Sequence, residues 1–378
     1  MSWYFLTVLA ALATTGTARA AESPPPPPPT IDAIAYILLD AHSGRVLAEQ
    51  DADKHVDPAS LTKLMTSLVA FDALRKGTMK LDEPVTISEH AWRTQGSRSF
   101  VEVGSQVPIE VLMQGMIVQS GNDASVALAE RIAGTEEAFA TLMNEEAKRL
   151  GLANSLFDNS TGMPGDGHYS SARDVGLIAR AIITEFPEYY HWYSEREFTY
   201  NGITQHNRNQ LLWQDPTVDG LKTGHTDTAR YCLAASALRD EMRLISVVMG
   251  ATSDKTRAAG SRALLEYGFR FFETHKIYAA DAPITRVKVW KGATEEVALG
   301  LENDLYLTIP RGQYTDLAPT MDVPAQVIAP LEAHAAVGQV RIAFGDDVLA
   351  ERPLRTLESV GPGSLWHRMA DAVALWFE

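Results

Sequence analysis

The spacing of apolar residues changes along the first two thirds of the chain and predicts both strands and helices there. Short apolar runs flank the turn residues His42-Ser43-Gly44, which predicts a β-hairpin. Apolar residues three or four positions apart predict helices that begin at Ser60 and that cover residues 109–118, 124–133, 136–150 and 172–184. Strands are predicted at 218–222, 231–238 and 244–249, before a helix at 257–272. This order predicts an α/β sandwich with a helical insert.

Beyond about residue 281 the pattern becomes that of a small all-β domain. Short apolar segments occur between turn residues at 287–290, 297–299, 305–309, 325–328 and 340–344. Their period is close to two, which is typical of strands with one buried face. We therefore predict a first domain over residues 33–280 and an all-β domain over residues 281–360.

The N-terminal segment has the features of an export signal. The apolar stretch from Trp3 to Ala13 is too short to span a bilayer, and Ala18-Arg19-Ala20 fits the pattern of a signal-peptidase site. This predicts a signal peptide at 1–20, although no Lys or Arg precedes the apolar stretch, so a buried N-terminal helix is the alternative. Residues 21–32 contain the prolines Pro24 to Pro29 and predict a stiff polyproline II spacer.

The C-terminal segment, residues 364–378, predicts an amphipathic helix after the helix breakers Gly361-Pro362-Gly363. Its apolar face consists of Leu365, Trp366, Met369, Val373, Trp376 and Phe377. A terminal helix rich in Trp and Phe suits an anchor in the membrane interface. The polar face is not basic, so this anchoring would be mainly hydrophobic. A helix docked on its own domain is the alternative.

Composition narrows the classes of function. Hydrophobic residues make up 46% and charged residues 21% of the 378 positions, which is typical of a globular protein. The single cysteine, Cys232, excludes an internal disulfide and a multi-cysteine zinc site. The histidine spacing indicates no metal site, and we predict no cofactor. The net charge of −15 argues against a broad nucleic-acid interface.

Three short motifs place reactive side chains at the ends of predicted elements. Ser60 begins a helix and Lys63 lies one turn later, which suits a nucleophile and its base. Ser120-Gly121-Asn122 lies between two helices, and Lys222-Thr223-Gly224 ends a strand. Each motif alone also fits a structural role, namely a capped helix, a helix–helix turn and an edge strand with a solvated lysine. Because each occurs once and in this order, together they favour one site.

The motifs and their surroundings resemble the penicillin-binding D-alanyl-D-alanine carboxypeptidases. The similar stretches are PASLTKLMT, GSRSFVEVG, GMIVQSGNDA, FDNSTGMPGDGHYSSARD, QHNRNQLLW, VDGLKTGHTDTARYCL and GFRFFET. The resemblance is strong over residues 33–280 and looser over the β domain and the terminal helix. It implies a β-lactamase/transpeptidase-like domain, an antiparallel sheet with helices on both faces. It also implies export to the periplasmic face of the cytoplasmic membrane.

The resemblance further implies a role for each motif residue. Ser60 would attack the bond between the two terminal D-alanines of a peptidoglycan pentapeptide, and β-lactam antibiotics would acylate it covalently. Lys63 would take the serine proton, with Lys222 helping to keep it neutral. Ser120 would protonate the leaving nitrogen, and Asn122 would hold the substrate amide. The residues expected around the substrate carboxylate and the oxyanion are Lys222, Thr223, Gly224, His225 and Arg208, with Arg257 as a weaker candidate.

The sequence departs from the family pattern at one position, and it leaves three alternative functions open. Ala229-Arg230-Tyr231 stands where the family usually has Ala-Gly-Tyr, so Arg230 either narrows the cleft or points to solvent. A class A β-lactamase would need a Glu-x-x-Leu-Asn loop, which the sequence lacks. A D,D-endopeptidase acting on crosslinked peptidoglycan would use the same residues. A non-catalytic wall-binding protein would not need all three motifs intact.

Overall fold

The structure is a computed structural model that describes residues 24–376, so the predicted signal peptide lies outside the described residues. The elements up to residue 271 are β1 (Ala35–Asp40), β2 (Val46–Gln50), α1 (Thr62–Arg75), β3 (Pro84–Thr86), α2 (Glu89–Arg93), β4 (Gln106–Pro108), α3 (Ile109–Val118), α4 (Asn122–Ala133), α5 (Glu136–Arg149), α6 (Ala172–Glu185), α7 (Pro187–Tyr190), β5 (Glu197–Tyr200), β6 (Ile203–His206), α8 (Leu211–Gln214), β7 (Val218–Thr226), β8 (Arg230–Arg239), β9 (Met242–Ala251) and α9 (Asp254–Phe271).

The remaining elements belong to the C-terminal part of the chain. They are β10 (Phe272–Tyr278), β11 (Thr285–Trp290), β12 (Glu296–Gly300), β13 (Leu305–Pro310), β14 (Leu317–Asp322), β15 (Val327–Ile328), β16 (Ala336–Phe344), β17 (Asp347–Thr356) and α10 (Leu365–Ala374). Short 3₁₀ turns occur at Ala59–Leu61, His191–Ser194 and Tyr314–Asp316.

A five-stranded antiparallel sheet of order β2-β1-β9-β8-β7 organises the first part. Side chains of β1 alternate between its two faces, as strand geometry requires. Ile37 and Leu39 belong to the core shared with α1 and α6, whereas Tyr36 and Leu38 belong to the core shared with α9. The predicted antiparallel sheet with helices on both faces is confirmed.

Helix α1 is buried along nearly its whole length, and this burial sets up the chemistry described below. Its contacts are with α3, α4, α5 and α6 and with the 3₁₀ turn before it. The helix predicted to begin at Ser60 therefore begins as the 3₁₀ turn Ala59–Leu61 and continues as α1. Every residue from Thr62 to Phe71 is buried, so this part of the helix has no solvent face for a charged residue, and Lys63 is 1% exposed.

The C-terminal part is built from strands, as predicted. Its six-stranded sheet has the order β14-β16-β17-β12-β11-β15, and β10 pairs separately with β13. All pairs are antiparallel except β11 with β15. The domain boundary near residue 280 stays a prediction. In the structure α9 ends at Phe271, and β10 follows it directly.

The two parts meet through a polar network around the buried carboxylate of Asp40. The hydroxyls of Ser43 and Thr274 donate to this carboxylate at 2.9 and 2.8 Å. The Thr308 hydroxyl of β13 lies 2.6 Å from the Ser43 hydroxyl and 2.9 Å from the Thr274 hydroxyl, and it can donate its single proton to either one. Arg45 donates to the Thr308 carbonyl at 2.5 Å. Directional hydrogen bonds therefore fix how the β10–β13 pair sits on the catalytic sheet.

The amphipathic helix predicted at the C-terminus is present as α10, and its apolar side faces outward. Trp366 is 82% exposed and Trp376 is 91% exposed. The polar side faces the β domain, because the Asp371 carboxylate accepts a hydrogen bond from the Lys291 amide at 2.5 Å. Within residues 24–376, no helix has the length and apolarity needed to cross a bilayer.

Candidate active site

Ser60 and Lys63 lie together at the start of α1. Ser60 belongs to the 3₁₀ turn, where the preceding Ala59 has a φ of 47°, and Lys63 lies in the first turn of the helix. The Lys63 amine is 3.1 Å from the Ser60 hydroxyl. It is also 2.7 Å from Oδ1 of Asn122 and 2.5 Å from the carbonyl of Thr161.

These three neighbours fix the direction of the lone pair when Lys63 is neutral. A carbonyl oxygen and an amide oxygen can only accept hydrogen bonds, whereas a hydroxyl can also donate. A neutral amine has two N–H groups, which Asn122 and Thr161 satisfy. The lone pair then points at the Ser60 hydroxyl, so the geometry suits removal of its proton.

The surroundings also make the neutral form of Lys63 accessible. Burial, followed by the positive charge of Arg208, lowers the pKa of Lys63 to about 7, while Glu136 and Asp123 act in the opposite direction. Burial also lowers the pKa of Lys222 well below its ordinary value, with further contributions from Lys63 and the nearby arginines. A charge on Lys63 therefore opposes a second positive charge on Lys222.

All the predicted residues except the two lysines line one cleft of about 540 Å³. The lining residues used below are Ser60, Ser120, Asn122, Arg208, Thr223, Gly224 and His225. Lys63 and Lys222 lie beneath its surface and are 1% and 3% exposed. The structure therefore excludes the alternative in which Lys222 is a solvated residue of an edge strand. It is on the edge strand β7, but its amine is covered.

Ser120 and Asn122 enter the cleft from the junction of α3 and α4. The Ser120 hydroxyl is buried and has no hydrogen-bond partner among residues 24–376, and its backbone has a φ of 67°. An unsatisfied buried hydroxyl costs free energy, and this one lines the cleft, where a ligand can supply the missing partner. Asn122 uses its oxygen for Lys63 and its nitrogen for the Gln95 carbonyl, at 2.5 Å.

The two candidate arginines, Arg257 and Arg208, differ in the hydrogen bonds that their guanidinium groups make. Arg257 is buried and donates from Nη1 to the carbonyls of Gly224 and Cys232, at 3.0 and 3.2 Å. It therefore ties β7 to β8. Arg208 makes no hydrogen bond or ion pair with any other residue of 24–376, although it lines the cleft. Arg208 is thus the arginine available to an incoming anion.

Sequence reasoning assigned no role to the segment that supports the nucleophile. Besides the Thr161 carbonyl, this segment contributes Gly162, where a Cβ would lie 1.8 Å from the Ala59 carbonyl oxygen. His168 Nε2 lies 2.7 Å from the Thr62 hydroxyl, and Nδ1 accepts from the Asp158 amide. Burial lowers the His168 pKa to about 4, so the ring is neutral and braces the turn. In the sequence, the only sign of this segment is that it lies in the stretch FDNSTGMPGDGHYSSARD, which resembles the family.

The backbone conformation explains why position 224 is a glycine and shows where the side chain of Arg230 lies. A Cβ at Gly224 would lie 3.0 Å from the Pro58 carbonyl oxygen, so this glycine lets β7 approach the nucleophile turn itself. Arg230 has a φ of 54°, a left-handed conformation that glycine adopts more easily. Its side chain is exposed and does not line the cleft, so the departure from the family pattern does not narrow the site.

Comparisons with known proteins identify the family of the chain. The family model described as D-alanyl-D-alanine carboxypeptidase matches residues 19–253, more than half of the chain. The chain is 45% identical over 355 residues to D-alanyl-D-alanine carboxypeptidase DacA of Escherichia coli (strain K12), covering 92% of this chain and 88% of that protein. The chain belongs to the D-alanyl-D-alanine carboxypeptidase family.

Other relatives of this carboxypeptidase extend the comparison to both domains. Residues 272–362 match the family model described as penicillin-binding protein 5, C-terminal domain. A crystal structure of penicillin-binding protein 5 from Haemophilus influenzae superposes with a TM-score of 0.83 and 41% identity, covering 88% of this chain and 99% of that one. Penicillin-binding protein D2 from Listeria monocytogenes, solved in an ampicillin-bound form, covers 64% of this chain, with 31% identity and a TM-score of 0.59.

The electrostatics of the cleft predict how activity depends on pH. The positive charge of Arg208 lowers the Lys63 pKa, so Arg208→Gln should raise that pKa. Less of the base is then neutral at a given pH, and the acid limb of the kcat/KM profile should move to higher pH. Arg196→Gln is the control, because its exposed charge is not among those acting on Lys63. A limb that stays in place or moves to lower pH would contradict the prediction.

Proposed function

We propose that the cleft removes the terminal D-alanine from peptidoglycan pentapeptide stems through an acyl-enzyme on Ser60. The observation that carries this assignment is the orientation of the Lys63 lone pair toward the Ser60 hydroxyl. A serine activated by an adjacent amine can attack a peptide carbonyl, and water can later release the acyl group. The family membership supports the same reaction and the D-Ala-D-Ala substrate.

The remaining roles follow from position in the cleft. The backbone amides of Ser60 and His225 would form the oxyanion hole, since both residues flank the point of attack. Arg208, with Thr223 and the buried amine of Lys222, would bind the carboxylate of the terminal D-alanine. A free guanidinium suits this task because it can donate two parallel hydrogen bonds to one carboxylate.

Ser120 would pass a proton to the leaving D-alanine nitrogen. Its hydroxyl has no partner among residues 24–376, and Ser120 lines a cleft that the substrate would fill. The bound substrate would supply the missing partner. The same nucleophile would open a β-lactam ring and retain the product as an ester. The Listeria relative was solved in an ampicillin-bound form.

We expect Ser60→Ala to abolish D-alanine release and covalent labelling by penicillin, because both reactions need the serine oxygen. Ser105→Ala, at a partly exposed position that does not line the cleft, is the control and should retain both. The release assay should compare a monomeric pentapeptide with a crosslinked muropeptide. Faster turnover of the crosslinked substrate would favour the D,D-endopeptidase alternative, and penicillin labelling of the Ser60→Ala protein would overturn the nucleophile assignment.

Ser120→Ala separates catalysis from stability. The substitution removes a hydroxyl that makes no hydrogen bond in the free protein, so the melting temperature should not fall. Loss of a proton-transfer group should lower kcat by about 10²-fold or more. Thermal unfolding and steady-state kinetics on the same preparation measure both quantities. An unchanged kcat would exclude Ser120 from the proton path.

We also infer that the protein is exported and held at the periplasmic membrane surface by α10. The outward apolar face of this helix supports the inference, because Leu365, Trp366 and Met369 contact no core. The inward polar contacts of Asp371 hold the helix in this orientation. A helix of this kind lies in the membrane interface and does not cross the bilayer.

Vesicle binding tests the anchor directly. Removal of residues 364–378 should shift the protein from the vesicle pellet to the supernatant in a sedimentation assay, because α10 and all its exposed apolar side chains are lost. Val348→Glu, at an exposed apolar position of the β domain, is the control and should sediment with vesicles as before. Unchanged sedimentation of the truncated protein would contradict the anchor.

A further inference from the structure

The polyproline segment lies along the surface of the protein in the described structure. Ile31 is 6% exposed and belongs to the core beneath α9, next to Gly260. From there the chain runs back toward the C-terminal end of α9. The Tyr267 hydroxyl donates a hydrogen bond to the carbonyl of Pro26 at 2.9 Å. The segment and α9 are therefore in contact at both ends of this stretch.

The contact is at the place where the two domains join. Pro24, Pro25 and Pro26 line a groove of about 410 Å³ together with Arg270 and Phe271 of α9, and with Pro310, Arg311 and Gln313 at the end of β13. Arg311 bridges the domains, because its guanidinium donates to the carbonyls of Phe269 and Phe272 at 2.7 and 3.1 Å. The prolines thus lie over a seam that both domains form.

The groove has the chemistry that recognises polyproline II helices. Such helices present flat rings and unpaired carbonyls, and they are bound by aromatic side chains together with hydrogen-bond donors. Tyr267 and Phe271 supply rings with centroids 5.3 Å apart, and Tyr267 supplies the donor. A run of prolines is already extended, so it loses little conformational entropy on docking.

We propose that Pro24–Pro26 dock in cis on the surface formed by the C-terminal end of α9 and the end of β13, where they form one wall of the groove. The bound segment is a strap that connects the two domains in addition to the covalent link and the Asp40 network. It restrains opening of the seam at Arg311. Within the predicted stiff spacer, Pro24–Pro26 line the groove and Pro26 accepts the Tyr267 hydrogen bond, whereas Pro27 and Pro28 do not line it.

Hydrogen exchange at the seam tests the strap in the exported chain, residues 21–378. The triple variant Pro24→Ser, Pro25→Ser and Pro26→Ser should speed exchange of the Arg311 and Gln313 amides, which bond to the Phe271 and Pro310 carbonyls. The matched control replaces the exposed Pro27 and Pro28 with Ser and should leave those rates unchanged. D-alanine release should be unchanged in both, since neither set touches the cleft. Equal exchange rates in the triple variant and the parent would overturn the proposal.

A double-mutant comparison separates the strap from general loosening. Tyr267→Phe keeps the ring and removes only the donor to Pro26. In the parent it should speed exchange at Arg311 about fivefold, the effect of one ordinary hydrogen bond. In the triple-serine background it should have no effect, because its partner is already displaced. An equal effect in both backgrounds would show that Tyr267 acts without the prolines and would overturn the proposal.

Discussion

The proposed chemistry depends on one buried amine, that of Lys63. In its neutral form both of its N–H groups have a fixed acceptor. Lys63 is enclosed by α1 and its neighbours, and its two fixed acceptors, the Asn122 oxygen and the Thr161 carbonyl, come from different parts of the fold. Burial makes protonation costly, and the acceptors leave the lone pair only one direction. Base strength and orientation therefore have the same origin, namely the packing of the helical insert against the start of α1.

The required placement of Ser60 relative to Lys63 explains why several elements contact the turn that carries Ser60. Gly162 allows the supporting segment to touch the Ala59 carbonyl, and Gly224 allows β7 to approach Pro58 from the other side. His168 braces Thr62 from below. The Ser60 turn is thus held from three directions, which limits movement of its hydroxyl relative to Lys63. Preorganisation of this kind is what a nucleophile and its base require.

Periodicity and motif order predicted most of the architecture and the polar residues that meet in the cleft. Helix α3 has the predicted limits, and α4 begins at Asn122, two residues before the predicted start. What the sequence did not reveal depends on the backbone. The Thr161 carbonyl carries no residue signature, and neither does the left-handed conformation of Arg230. The burial of Lys222 on an edge strand comes from neighbouring elements, which strand alternation alone does not describe.

The joint between the domains has a consequence for their independence. Ser43, Thr274 and Thr308 meet around Asp40 through hydroxyl groups, so this part of the contact is polar. Such hydrogen bonds fix the relative orientation of the domains but contribute little net free energy to their association. If the domains were separated, water would bond to the exposed hydroxyl groups. A catalytic domain with this polar contact surface can exist without the second domain and expose no large apolar patch there. The Listeria relative, whose whole solved chain corresponds to 64% of this one, has the length expected of that arrangement.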